Sequence, residues 1–197
     1  MHYLAGRRDG QTPLDPNETS GLIPSWVATS ADLDRAEQEG IAQAIGWARV
    51  RRPPPTDILT EAFPRQLHKR MFGEVWKWAG KYRATSKNIG VDPASITQEI
   101  AKLMEDARYW VDEHSFSTDE AAVRFHYKLV WIHPFPNGNG RHSRLAADLL
   151  VAALGARQLS WGSELAGDPA AARTEYIAAL READAGDVER LVAFARR

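Results

Sequence analysis

The chain has no cysteine among its 197 residues, which excludes disulfides and thiolate metal sites and is compatible with a reducing compartment. No apolar run approaches the length that spans a bilayer, so no membrane association is expected. The N-terminus lacks the charged segment and apolar block of a secretory signal, and a cytoplasmic location is the expectation. An excess of either charge is also missing. Against 26 acidic side chains stand 25 basic ones, a formal net charge of -1, so strong nucleic-acid binding is not expected. Apolar residues, at 44%, are present in ordinary measure, and the length suits one domain, or one domain with a small extension.

Along the chain, Pro13, Pro16 and Pro24 with several glycines and no sustained period predict an extended arm over residues 1–29, anchored by Leu22, Ile23, Trp26 and Val27. Ser30 can cap a helix over about 31–50 that buries Leu33, Ala36, Ile41, Ala44, Ile45 and Trp47. After Pro53-Pro54-Pro55, Thr56 opens a helical region to about residue 73, bent at Pro64, with Leu59, Phe63, Leu67 and Met71 facing inward. Trp76 and Trp78 read as packing residues, since no basic residues interleave them in the manner of a base-stacking surface. Residues 81–92 carry turn formers and no helical stripe and predict a short hairpin. Capping boxes at Ser95–Gln98 and Ser117–Glu120 open two further helices. Asp168-Pro169 opens another, and a last short helix follows Gly186-Asp187.

The residues that carry chemistry lie at 133–144, His-Pro-Phe-Pro-Asn-Gly-Asn-Gly-Arg-His-Ser-Arg. Ala122, Phe125, Leu129 and Ile132 form the stripe of a helix that delivers His133 at its end, where Pro134 stops it. Gly138 and Gly140 are expected to let the backbone take positive φ, so that N–H groups converge ahead of the next helix and its positive dipole end. Arg141 and Arg144 sit three apart on that helix, with forked donors suited to phosphate oxygens. The combination predicts a polyphosphate cradle, with His133 as the group that takes a proton from an incoming nucleophile. His126, His133 and His142 match no zinc spacing.

This string resembles the signature of Fic-domain proteins, His-Pro-Phe-x-Asp/Glu-Gly-Asn-Gly-Arg-x-x-Arg, at eleven of twelve positions, Asn137 being the exception. Gly21-Leu22-Ile23-Pro24, Trp78-Ala79-Gly80 and Lys87-Asn88-Ile89-Gly90-Val91 resemble the subgroup called mobile mystery protein B. The implied fold is an all-α, Fic-type bundle of about seven or eight helices with a small β-hairpin flap. Residues 1–29 form the arm and 30–197 the Fic domain.

The resemblance implies a protein adenylyltransferase that moves AMP from ATP, with Mg2+, onto a hydroxyl side chain of a target protein. His133 is then the general base and Phe135 an apolar anchor. Gly138, Asn139 and Gly140 bind phosphates, Arg141 the β-phosphate region and Arg144 the γ-phosphate. Position 137 holds the metal-binding acid in the family. An Asn137 carbonyl can ligate magnesium, but without a neutralising charge. Lys87, Asn88, Ile89, Gly90 and Val91 form the flap whose edge pairs with the target's backbone. The family's inhibitory helix ends in Glu-Gly/Asn. Glu39-Gly40 fits that ending, with Arg35 where Ser or Thr is expected, and implies a Glu39–Arg144 pair. Without that pair, a separate inhibitor protein takes its place. The alternatives are another phosphate-linked transferase, a catalytically silent nucleotide-binding protein, and the toxin of a toxin–antitoxin pair, the last compatible with AMP transfer.

Overall fold

A computed structural model describes residues 15–163 and 167–197. The first half of the expected arm therefore lies outside the described residues. The remainder begins with a single turn, α1 (Pro16–Thr19), closed by a capping box between Asp15 and Glu18. From there the chain is tied to the body by its backbone: Ile23 N–H donates to Val75 C=O at 2.9 Å and Lys77 N–H to Gly21 C=O at 2.9 Å. Gly21 is required at this seam, because a Cβ there would meet the Trp78 ring at 2.7 Å. Leu22 and Val27 pack against the core as expected. Ile23 and Trp26 do not, being 46% and 53% exposed. Backbone pairing does the anchoring that was assigned to their side chains.

The first long helix, α2 (Ser30–Arg51), is capped by Thr29, whose hydroxyl accepts from Asp32 N–H, one residue ahead of the expected Ser30. Its buried positions are Ala36, Glu37, Gly40, Ala44 and Ala48. The larger Leu33, Ile41, Ile45 and Trp47 are only partly buried. Small residues bring the helix close to the backbone at Met71; a side chain at Gly40 would strike the Met71 carbonyl.

The region expected as one bent helix is two, α3 (Pro55–Ile58) and α4 (Phe63–Phe72), with Pro64 in the first turn of the second. Proline lacks an N–H but none is needed at that position, so it starts a helix rather than kinking one. Leu59, Phe63, Leu67 and Met71 are all buried. A 3-10 turn, Pro93–Ser95, capped by Asp92 rather than Ser95, leads into α5 (Ile96–Asp112). Then come α6 (Thr118–Ile132), capped by Ser117, and α7 (Asn139–Ala153). The chain closes with α8 (Pro169–Asp184), capped by Asp168, and α9 (Glu189–Arg196).

Two apolar clusters share α6 and α7. One joins them to α2, α4 and α5 through Phe72, Trp76, Met104, Phe125 and Leu150. The other joins their far side to α8 and α9 through Val123, Val151, Ala179 and Leu191. The loop from 133 to 138 is thus held on both flanks, which fixes the place where functional groups meet.

The fold is all-α among the described residues, with one isolated antiparallel bridge, Leu22 to Trp76. The expected hairpin over 81–92 does not form. Its ends dock instead on the backbone that leads into the signature, Arg83 N–H to Pro134 C=O at 2.9 Å and Val91 N–H to Ile132 C=O at 3.3 Å. The buried Arg83 guanidinium then braces the segment from within, donating to the carbonyls of His133, Thr85 and Val91. One forked side chain supplies the donors that a strand ladder would otherwise provide. No described helix is long and apolar enough to cross a membrane.

Candidate active site

His133 is the C-cap of α6, in the left-handed region at φ 53, ψ 58. That turn swings the chain away from the helix axis and leaves the ring beneath the 81–92 segment, where Gly90 passes so near that a Cβ on it would lie 2.6 Å from the His133 Cβ. The residue is 5% exposed. Its Nδ1 lies 3.4 Å from the Val130 carbonyl, which can only accept, so the proton sits on Nδ1 and the lone pair on Nε2. Burial pushes the imidazole down to about 4, against a weak opposing pull from the Val130 carbonyl. At neutral pH the ring is therefore uncharged and able to accept a proton.

The loop after His133 is held from inside. Phe135 is fully buried and stacks on His68, ring centroids 3.8 Å apart. The Asn139 side chain spans the loop, its Oδ1 accepting from Phe135 N–H at 2.9 Å and its Nδ2 donating to Phe135 C=O at 2.8 Å. Asn139 was expected to bind phosphate; its side-chain amide is committed to Phe135, which leaves its backbone N–H at the start of α7. Of the two glycines expected at positive φ, only Gly138 has it, at 78°, packed so close to Phe72 that a Cβ would meet the ring at 2.7 Å. Gly140 is helical, and a Cβ there would point into open space. No side chain caps α7, so the N–H groups of its first turn, Asn139 to Arg141, face an approach unobstructed at Gly140.

His68 was not foreseen as a site residue. Its Nδ1 accepts from Gly80 N–H at 3.1 Å, so Nε2 carries the proton and donates to Asn137 C=O at 3.0 Å. The neutral ring couples the base of the 81–92 segment to the signature loop, and burial holds its basicity well below the ordinary histidine range. His142, also buried, donates through Nε2 to Pro64 C=O at 2.9 Å.

Arg141 and Arg144 both emerge half-buried from the start of α7. Arg141 pairs with Glu37 of α2 at 2.7 Å and lies over the Phe72 ring. The second Glu37 oxygen accepts from Trp76 Nε1 at 2.7 Å, so a buried carboxylate is fixed against the first signature arginine. Glu39 does not reach Arg144. It is exposed beside Ile23, Trp26 and Glu74, two residues further round α2 than the face that meets α7. The acid that α2 delivers to the signature is Glu37, and its partner is Arg141. A sequence signal existed: Glu37 shares the 37, 40, 44, 48 stripe with Gly40, Ala44 and Ala48, and a charge on such a stripe needs a buried partner.

The Asn137 Oδ1 accepts from Gly138 N–H at 2.5 Å. The side chains of the site thus offer magnesium one neutral oxygen that is already hydrogen-bonded. Among the described residues no group of three or more histidine or acidic side chains is placed to hold a metal ion. Judged by its own donors, the loop does not fit a protein-held magnesium site.

In the 81–92 segment, Asn88, Ile89 and Gly90 are exposed, and Gly90 passes over His133. Lys87 is turned inward onto Asp15 at 2.9 Å and Glu18 at 2.6 Å, and Thr85 Oγ1 donates to Asp15 at 2.8 Å. Val91 is held by Arg83 and by the Ile132 carbonyl. The free edge is therefore shorter than the five residues expected.

Comparison with known proteins agrees with this geometry. Residues 58–151 match the model of the Fic/DOC family. Protein adenylyltransferase fic-1 of Caenorhabditis briggsae is 32% identical over 137 residues, 66% of this chain and 25% of the relative. Protein adenylyltransferase Fic of Nematostella vectensis is 25% identical over 201 residues, 99% of this chain and 45% of the relative. The chain thus spans a quarter to about half the length of these curated relatives. Among solved structures, Fic-1 (residues 134–508) from C. elegans superposes with a TM-score of 0.66 at 24% identity, covering 91% of this chain and 52% of that one. BepC from Bartonella tribocorum, solved with bound AMPPNP, gives 0.63 at 18% identity, covering 92% and 97%. From its signature, its helical architecture and these matches, the chain carries a Fic/DOC-family domain over residues 58–151.

Proposed function

We propose that this protein transfers AMP from ATP to a hydroxyl side chain of a target protein. The observation that carries the reading is the meeting of a neutral His133 ring with an uncapped helix start and two arginines. The curated relatives bear the name protein adenylyltransferase, and BepC, a structural neighbour, was solved with AMPPNP.

In the reaction, the target hydroxyl gives its proton to His133 Nε2 as its oxygen attacks the α-phosphorus. The bond from that phosphorus to the bridging oxygen of the β-phosphate breaks, and pyrophosphate leaves. The N–H groups at the start of α7 and the guanidinium of Arg144 hold the triphosphate and its developing charge, and Arg141 joins them once it exchanges Glu37 for phosphate. The target's backbone lies along Asn88 to Gly90, which brings its hydroxyl over the imidazole. Since the Asn137 amide does not make a metal site, no step is assigned to magnesium.

The test is labelling of target or protein by ATP tagged on its α-phosphate. Wild type is expected to transfer the label, and His133→Ala to lose it by about a hundredfold or more while still binding ATP. Equal labelling by the variant overturns the mechanism. A second reading, a nucleotide-dependent interaction protein without turnover, is favoured by Asn137 alone and corresponds to ATP binding without transfer. Transfer of a γ-label in place of the α-label points to kinase-like chemistry.

A further inference from the structure

Arg144 differs from Arg141 in having no carboxylate within ion-pair distance among the described residues. Its Nε donates to Gly140 C=O at 3.2 Å, which pins the near end of the guanidinium. The guanidinium sits over the Tyr176 ring of α8, Cζ 5.6 Å from the centroid. Tyr176 is itself held: its hydroxyl is 3.1 Å from Nε2 of the buried His126 on α6. The His126 ring packs on Trp161 at 4.5 Å, and Trp161 Nε1 donates to Asp148 Oδ1 at 2.9 Å. Asp148 lies one turn beyond Arg144 on α7. The contacts therefore close a circuit from α7 through Trp161, His126 and Tyr176 back to the arginine.

We infer that Tyr176 is a positioning residue that aims Arg144 at the terminal phosphate and so makes the site prefer a nucleoside triphosphate to a diphosphate. This rests on the nucleotide-binding reading above. An arginine side chain has several rotatable bonds, and holding its fork ready before the ligand arrives removes an ordering cost that would otherwise weaken binding. An aromatic face orients a guanidinium without neutralising it, whereas a carboxylate would compete with phosphate. Both Tyr176 and Trp161 lie outside residues 58–151, the span that matches the family model. On this inference α8 is part of the nucleotide site as well as a wall of the second apolar cluster.

The test is calorimetry on the full chain with AMPPNP and with ADP in one magnesium-containing buffer, which needs no turnover. Wild type is expected to bind AMPPNP more tightly than ADP. Tyr176→Leu, which removes the ring, is expected to weaken AMPPNP by about tenfold and ADP by less than about twofold. Tyr176→Phe and His126→Phe both break the link between the two side chains and are expected to cost AMPPNP about two- to threefold. The double variant should lose no more than either single one, since both remove the same hydrogen bond.

If Tyr176→Leu does not fold, the Phe variants decide the matter by the same selective loss. Equal weakening of both nucleotides, or weakening of neither, overturns the inference. So does a wild type that binds AMPPNP and ADP alike. A wild type that shows the Tyr176-dependent preference yet transfers no α-label sinks the proposed reaction and leaves the inference standing.

Discussion

Glu37 and Arg141 form the most consequential pair at the scale of single residues, because the guanidinium that suits a phosphate is already engaged by a buried carboxylate at 2.7 Å. On the proposed function a phosphate displaces that carboxylate, and the Trp76 indole holds Glu37 in place while it competes. Glu37→Gln keeps an oxygen for Trp76 and removes the charge. We expect it to strengthen ATP binding severalfold, read by calorimetry, with little change in fold; unchanged or weaker binding would mean that Arg141 does not meet phosphate. His133 is held neutral chiefly by burial, helped by the Arg83 and Lys87 charges, with Nδ1 facing the Val130 carbonyl.

Among the elements, α6 and α7 were legible in the sequence because each combines a helical stripe with a decisive punctuation, Pro134 after the first and Gly138 before the second. The hairpin was misread for a physical reason. Turn formers and the lack of a helical period describe any exposed connection, and nothing in the pattern says that Arg83 will satisfy three carbonyls from inside. Glu39 was chosen over Glu37 through a short family ending, whereas only the small-residue stripe tells which acid faces α7. His68 was invisible because its partners, Gly80 and Asn137, are 12 and 69 residues away in sequence. At this scale Gly138 gives the clearest prediction. Gly138→Ala both forces a side chain into a φ of 78° and drives it against Phe72. A loss of about 1–3 kcal/mol in urea unfolding is expected, together with loss of nucleotide binding as the α7 start shifts. A variant as stable as wild type would show that the corner can relax.

For the molecule as a whole, four buried histidines tie stability to pH, with the half-buried Asp148, pushed up to about 6, acting in the opposite sense. Burial holds His126 down at about 3, His133 and His142 at about 4, and His68 well below its ordinary value. Each folded-state value is depressed below the unfolded one near 6.5, so between those limits the unfolded chain binds more protons and stability rises with pH. The stabilising contribution of the neutral rings is complete above about 6.5 and declines as pH falls towards 4. For His142 alone the loss is on the order of 3 kcal/mol. We expect the urea midpoint to fall steadily from pH 7 to pH 5, with a slope near 1.4 kcal/mol per pH unit for each ring that titrates. A midpoint unchanged over that range would place these rings in contact with water.

The grip of Asp15 and Glu18 on Lys87 has its own consequence. It gears the beginning of the described chain to the rim above the imidazole, across some seventy residues of sequence, through the Lys87 ammonium and the Thr85 hydroxyl. A tug on α1 is therefore felt beside the His133 ring.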